Sequence, residues 1–219
     1  MTRPAAQIAA MAAYALPSLS LPEGVALRSL SQNECHRGPS PMASAAMQAA
    51  TQTAPYPDPD WHALRGAIAD LWSLPPDSIL CGGGSLELIS ALLRIYAGPD
   101  RAVLIPAHAY PYFRTAAGLS GARIDAAPET SLTADPQALL DAVQPDTAVL
   151  CLAHPANPTG TRLSHAALRD LRAALRPDIL LILDEAYGEF ADGQEPPCFD
   201  LVEAGNTVVL RTLSKAYGM

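Results

Sequence analysis

Apolar runs alternate along the chain with amphipathic stretches. Residues 179–183, Ile-Leu-Leu-Ile-Leu, form an unbroken apolar run, the pattern of a parallel strand covered on both faces. Shorter runs of the same kind fall at 102–105, 122–126, 147–152 and 207–210. Between them the spacing predicts helices over 110–119, 136–143 and 164–175, with Asp135 and Ser164 as N-caps of the last two. Upstream, Ser40-Pro41 reads as an N-cap followed by a proline at the first helical position, opening a helix over 42–53 that the Pro55–Pro59 segment breaks. A helix over 61–72 places Leu64, Ile68, Leu71 and Trp72 on its apolar side, and Trp61 and Trp72 read as core. A further apolar helix follows Gly82-Gly83-Gly84 and runs to about Tyr96. Alternation of this kind predicts an α/β fold, a three-layer α/β/α arrangement around a mainly parallel sheet.

The N-terminal part does not share the alternation. Residues 5–16 are rich in alanine and interrupted by Gln7, and read as an amphipathic arm or helix rather than an export signal. Residues 17–41 are rich in Pro, Gly and Ser and read as an extended arm. No apolar run is long enough to span a membrane. With 219 residues the chain can build one sizeable core, or one domain and part of another. A formal net charge of -8 without a basic run argues against nucleic acid or an anionic membrane as a main partner. It leaves room for a local anion site made of backbone amides. The four cysteines form no CxxC pair and the five histidines no HExxH. They read as reduced thiols of a cytoplasmic protein and as no metal site.

Candidate chemistry gathers at the ends of two strands. Asp184 and Glu185 follow the 179–183 run directly, where open α/β sheets hold their ligands. A lone acid there more often caps the following loop. The next strand, however, ends in Arg211-Thr212-Leu213-Ser214-Lys215. A carboxylate and an amine at the ends of neighbouring strands suggest one cofactor held from two sides. The succession of apolar run, glycine triplet and helix at 79–96 would aim backbone N–H groups at an anion. By itself the triplet is a weak signal, and it fits neither a Walker motif nor GxGxxG.

Taken together, these segments resemble the pyridoxal-phosphate (PLP) enzymes of the aspartate-aminotransferase fold type, most closely the histidinol-phosphate aminotransferase branch. The resemblance runs from about Leu30 to the last residue. It rests on Gly38-Pro39-Ser40-Pro41, Tyr56-Pro57-Asp58, Gly84-Ser85-x-Glu87, Pro106-x-x-x-Tyr110, Asn157-Pro158-Thr159-Gly160, Asp184-Glu185-Ala186-Tyr187 and Arg211-Thr212-Leu213-Ser214-Lys215, in that order. It implies an enzyme that moves an amino group between an amino acid or amino-alcohol phosphate and a 2-oxo acid. Lys215 would bond the cofactor aldehyde and carry the substrate's α-proton. Asp184 would pair with the pyridine nitrogen. Asn157 and Tyr187 would donate to the ring oxygen, and Tyr110 would stack on the ring. Gly84, Ser85, Leu86, Thr212 and Ser214 would hold the phosphate. Tyr56 would reach the phosphate in a neighbouring subunit, implying a homodimer with shared sites. Without the resemblance, Asn157 is a good turn residue and Tyr110 a core tyrosine, whereas the place of Lys215 directly after a buried strand and two hydroxyls speaks against a plain surface lysine.

The sequence departs from the family pattern in three places. Leu86 stands where relatives carry Asp, Ser or Thr, so that phosphate contact would be backbone only. Cys35-His36 replaces the usual Asn-Pro after Asn33-Glu34, on the substrate side. The chain ends at Met219, before the family's next phosphate-binding arginine and its C-terminal small domain. Residues 1–41 are thus expected to be an arm and part of the small domain, and 42–219 a truncated PLP-binding large domain with the C-terminal small domain absent. An exposed sheet edge beside the Lys215 strand is expected, and with it poor solubility or inactivity of the chain alone. Two other readings stand beside the transaminase: a decarboxylase of the threonine-phosphate type, and a non-catalytic remnant.

Overall fold

A computed structural model of the protein describes residues 2–3, 5–9, 11, 22–26, 30–51, 55–191 and 196–219. After a short helix α1 (Ala6–Ala9) come α2 (Pro41–Ala49), α3 (His62–Trp72) and α4 (Ser85–Tyr96). Then follow β1 (Ala102–Pro106), α5 (Pro111–Ser120), β2 (Ile124–Ala127), a small hairpin of β3 (Glu129–Thr130) and β4 (Thr133–Ala134), and α6 (Pro136–Asp141). The chain closes with β5 (Thr147–Ala153), α7 (His165–Ala174), β6 (Leu180–Asp184), α8 (Asp200–Glu203) and β7 (Thr207–Leu210). The main sheet has the order β2-β1-β5-β6-β7, and every pairing in it is parallel.

Two apolar layers flank the sheet. Val103, Ile105, Val149, Cys151, Leu180 and Ile182 pack with Ile89 and Leu93 of α4 and Phe113 of α5. Leu104, Leu150, Leu152, Leu181 and Leu183 pack with Leu139 of α6 and Leu168 and Leu171 of α7. Successive strand residues serve opposite layers, which is why the central strands read as continuous apolar runs rather than alternating ones. The three-layer α/β/α expectation is met.

The caps fall where the sequence placed them. Ser40 Oγ accepts from Ala43 N (3.1 Å), Asp135 Oδ1 from Gln137 N (2.9 Å) and Ser164 Oγ from Ala167 N (3.2 Å). Gly121, at φ 74°, ends α5 in the left-handed conformation. Other expectations change. The first long helix stops at Ala49, and residues 52–54 lie outside the described set, as do 10 and 12–16 of the alanine-rich stretch. Leu71 and Trp61 are 67% and 43% exposed, so neither is core; α3 buries Ala69 instead. Trp72 is half-buried, tilted against Phe199 with ring centroids 5.2 Å apart. The segment before the glycine triplet forms no strand, and Leu80 is exposed. β7 lies at an edge of the sheet, with Val208 and Val209 half-buried. None of the four cysteines is in a disulfide. Among the described residues no helix is long and apolar enough to cross a membrane.

Ile182 sits at the centre of the layer shared by β5, α4 and α5 and is fully buried. Truncation to Ala should lower unfolding free energy by about 2–5 kcal/mol, read from the urea midpoint at unchanged slope. A loss below about 1 kcal/mol would mean that this layer is loosely packed.

Candidate active site

The parallel pairing of β6 with β7 sets Asp184 opposite Leu210, and pairing with β5 sets it opposite Ala153. Glu185 N donates to Leu210 O (2.9 Å) and His154 N to Asp184 O (2.8 Å), which extends both ladders by one residue. The segments 154–160, 184–187 and 211–215 therefore leave the sheet side by side at its carboxyl edge.

Asp184 shares a sheet face with Ile182, the face covered by α4 and α5. It is 4% exposed, and the hydrogen bond recorded for its carboxylate comes from Ala186 N (3.1 Å). Burial, and secondarily the neighbouring charge of Glu185, push its carboxyl up to about 6 against the opposing Ala186 bond. Among the described residues no basic side chain forms a salt bridge with it. An acid in this state has room for a cationic partner.

On the same face, the glycine triplet leads into α4. Gly84 takes φ 109°, open only to glycine at low strain, and Ser85 opens the helix 8% exposed. Gly83 N donates to the Glu87 carboxylate, a close contact at the helix N-terminus. The first amides of α4 have no intrahelical acceptor and point out of the helix end. Leu86 is 46% exposed and offers only its backbone there. Tyr110 immediately precedes α5 and packs on the same apolar layer, edge-on to Phe113 at 5.7 Å between centroids.

Beyond β7, Thr212 Oγ1 and Ser214 Oγ lie 2.9 Å apart, and Ser214 N donates to Thr212 Oγ1 (3.2 Å). Lys215 Nζ sits 5.8 Å from the centre of the Tyr187 ring and donates to Gln32 O (3.0 Å). Tyr187 Oη accepts from Asn157 Nδ2 (3.5 Å) and from Asn33 Nδ2 (2.9 Å). Two adjoining clefts result. One, of about 480 Å³, is lined by Asn157, Tyr187, Gly160 and Arg162; the other, of about 410 Å³, by Cys35, His36, Arg37 and Lys215. Asn33 and Phe190 border both.

Tyr187 is thus bonded to Asn157 and has Lys215 Nζ over its ring, and Thr212 and Ser214 sit beside one another; Asp184 lines neither cleft. Tyr56 is 98% exposed and lines neither cleft. Sequence reasoning gave no role to Asn33 or Gln32, which close the site from the arm. The signal for them was weak: Asn33-Glu34 lies in a stretch without periodicity. It also missed the support behind the site. Arg211 donates to Glu185 Oε2 (2.8 Å) and Glu189 Oε1 (2.5 Å), with its guanidinium carbon 5.3 Å from the Trp72 ring centre. This pair ties the end of β7 to the end of β6.

The fold is an α/β domain with a parallel sheet, in which Asp184 ends β6 and the segment carrying Lys215 follows the neighbouring β7. The family model for aminotransferase class I and II matches residues 27–219, and the chain belongs to that family. A histidinol-phosphate aminotransferase of Granulibacter bethesdensis is 41% identical over 220 residues, covering 99% of this chain and 60% of the relative. That of Paramagnetospirillum magneticum is 47% identical over 193 residues, covering 87% and 53%. The crystal structure of histidinol-phosphate aminotransferase from Sinorhizobium meliloti with pyridoxal-5'-phosphate superimposes with a TM-score of 0.81 at 32% identity, covering 86% of this chain and 52% of that one. The chain spans a little over half the length of these relatives.

Two outcomes follow for the site's stability. Because the folded Asp184 titrates above its ordinary 3.8, the native state holds a proton that the unfolded chain has lost between about pH 4 and 6. Stability drawn from this group falls as pH rises through that window. Asp184→Asn should therefore stabilise the ligand-free chain at pH 7, on the order of 2–3 kcal/mol, with the gain vanishing near pH 4. A variant less stable than wild type at pH 7 would contradict the burial argument. Arg211→Met should destabilise by about 3–5 kcal/mol, since it strands Glu185 at 3% exposure; thermal melts at fixed pH measure it.

Proposed function

We propose that this chain is the cofactor-binding large domain, with the N-terminal arm, of a PLP-dependent aminotransferase. The enzyme moves an amino group between a histidinol-phosphate-like amino-alcohol phosphate or an amino acid and a 2-oxo acid. Residues 1–41 form the arm and contribute to a small domain; residues 42–219 carry the large domain. The observation that supports this best is a buried Asp184, without a salt bridge among the described residues, at the end of the strand beside the one that leads to Lys215, within a chain whose relatives are histidinol-phosphate aminotransferases.

The residues fit the cofactor. Asp184 offers a buried carboxylate where a protonated ring nitrogen would neutralise it. The amides of Gly84, Ser85 and Leu86, at the N-terminus of α4, and the hydroxyls of Ser85, Thr212 and Ser214 offer donors for a phosphate. Asn157 and Tyr187 offer donors for a ring oxygen, and Tyr110 a flat apolar surface. When bound, PLP supplies an aldehyde for an amino group and an electron sink for the α-carbon's charge. Lys215 holds the cofactor and moves the proton at its Nζ. Asp184 keeps its partner nitrogen protonated. Tyr187 orients Lys215 by its ring and Asn157 by its hydroxyl. Gln32 and Asn33 close the arm over the same groups, limiting water. Tyr56, exposed in the single chain, reaches the phosphate of a second subunit in a cytoplasmic homodimer.

Reductive trapping tests the reading. Borohydride treatment with PLP should leave a stable phosphopyridoxyl label on Lys215, and Lys215→Ala should lose both the label and the visible absorption of bound cofactor. A label on another amine would overturn it. Tyr187→Phe should weaken PLP binding by roughly 3- to 10-fold, the worth of one hydrogen bond, measured by absorbance titration.

A further inference from the structure

The opposite face of the sheet carries side chains that this chemistry does not use. Glu185 follows Leu183 in strand alternation, and Leu183 belongs to the layer under α6 and α7. Glu185 therefore leaves the sheet away from Asp184. His154, next in parity after Leu150 and Leu152, joins the same layer, and Cys198 packs within it. One ring nitrogen of His154, one carboxylate oxygen of Glu185 and Cys198 Sγ all lie within 4.8 Å of one another, and the three residues are buried.

Two of the three donors, on His154 and Glu185, are oriented by neighbours. His154 is 7% exposed, and its Nε2 lies 2.9 Å from Leu163 O. A carbonyl can only accept, so Nε2 carries the proton and Nδ1 keeps its lone pair. A backbone carbonyl fixing the remote ring nitrogen is the usual support behind a metal-binding histidine. Glu185 Oε1 accepts from Cys198 N (3.2 Å) and Oε2 from Arg211 (2.8 Å). The Arg211 cation is shared by buried Glu185 and half-buried Glu189, so these three side chains together carry one excess negative charge. A bound cation would offset it.

We propose that His154, Glu185 and Cys198 form a binding site for a thiophilic divalent cation of the zinc type, separate from the cofactor cleft and on the other side of the sheet. Mixed nitrogen, oxygen and sulfur donors suit zinc, with a fourth position left for water. Binding breaks the Cys198 S–H bond, forms a sulfur–metal bond and releases the proton to solvent; no electron is transferred. The ion would clamp the ends of β5 and β6 next to the 155–160 loop and Asp184. No local motif announces the site, because its ligands come from three separate segments.

Metal-free 219-residue chain, titrated with Zn²⁺ against a chromophoric chelator, should take up one tight equivalent. Cys198→Ser and His154→Gln should each weaken it at least about tenfold. His62→Ala, which breaks an exposed Asp58–Asp60–His62 trio, should leave it unchanged. The unmutated chain loaded with Co²⁺ should show an intense near-ultraviolet sulfur-to-cobalt band, a readout that needs no folded variant. Absence of that band, or tight uptake that survives both ligand substitutions, would overturn the site.

Discussion

The register between β6 and β7 is the constraint on which the site depends. Asp184 faces Leu210 across one pair of parallel strands, and the ladder continues through Glu185 N to Leu210 O. That alignment places a carboxylate on one strand end and, after a short turn, an amine on the next. Parallel strands alternate side chains with period two, so a slip of one residue would send Asp184 into the α6/α7 layer and Glu185 into the cleft. The unbroken apolar runs on both sides of the sheet specify this register strongly. Arg211 reinforces it by bonding Glu185 and Glu189 at the same level.

The same alignment divides the labour of two adjacent acids. Asp184 is buried on the side of α4 and α5, among the described residues without a basic partner, and burial chiefly, with the Glu185 charge, raises its titration. Glu185, equally buried, is held by Arg211. Folding thus tolerates an unneutralised acid at one position and neutralises its neighbour. A buried acid without a counter-charge lowers the stability of the protein near neutral pH. The arm adds a second constraint, because Gln32 O and Asn33 Nδ2 engage Lys215 and Tyr187 directly.

Most of the sheet and its caps were legible in the sequence, because a buried parallel strand leaves a continuous apolar run and Asp135 and Ser164 stand before helical spacing. Asp184 and Lys215 drew notice because each closely follows such a run, whereas the roles expected of Tyr187, Thr212 and Ser214 came from the family resemblance. Leu71 and Trp61 misled, since α3 has few neighbours among the described residues and its apolar periodicity exceeds what it buries. Asn33 and Gln32 escaped because an extended arm has no period to read. His154, Glu185 and Cys198 escaped because their proximity exists only after β5 and β6 pair. Only the fold reveals the two carboxylates around Arg211.

The pairing of a buried acid with a ring nitrogen is most directly measured by ¹⁵N NMR of the chain loaded with ring-labelled PLP. At neutral pH the ring nitrogen should resonate as protonated, and Asp184→Ala should move it to the neutral position. A nitrogen that is unprotonated in the unmutated chain, or indifferent to the loss of Asp184, would show that this carboxylate does not face the cofactor.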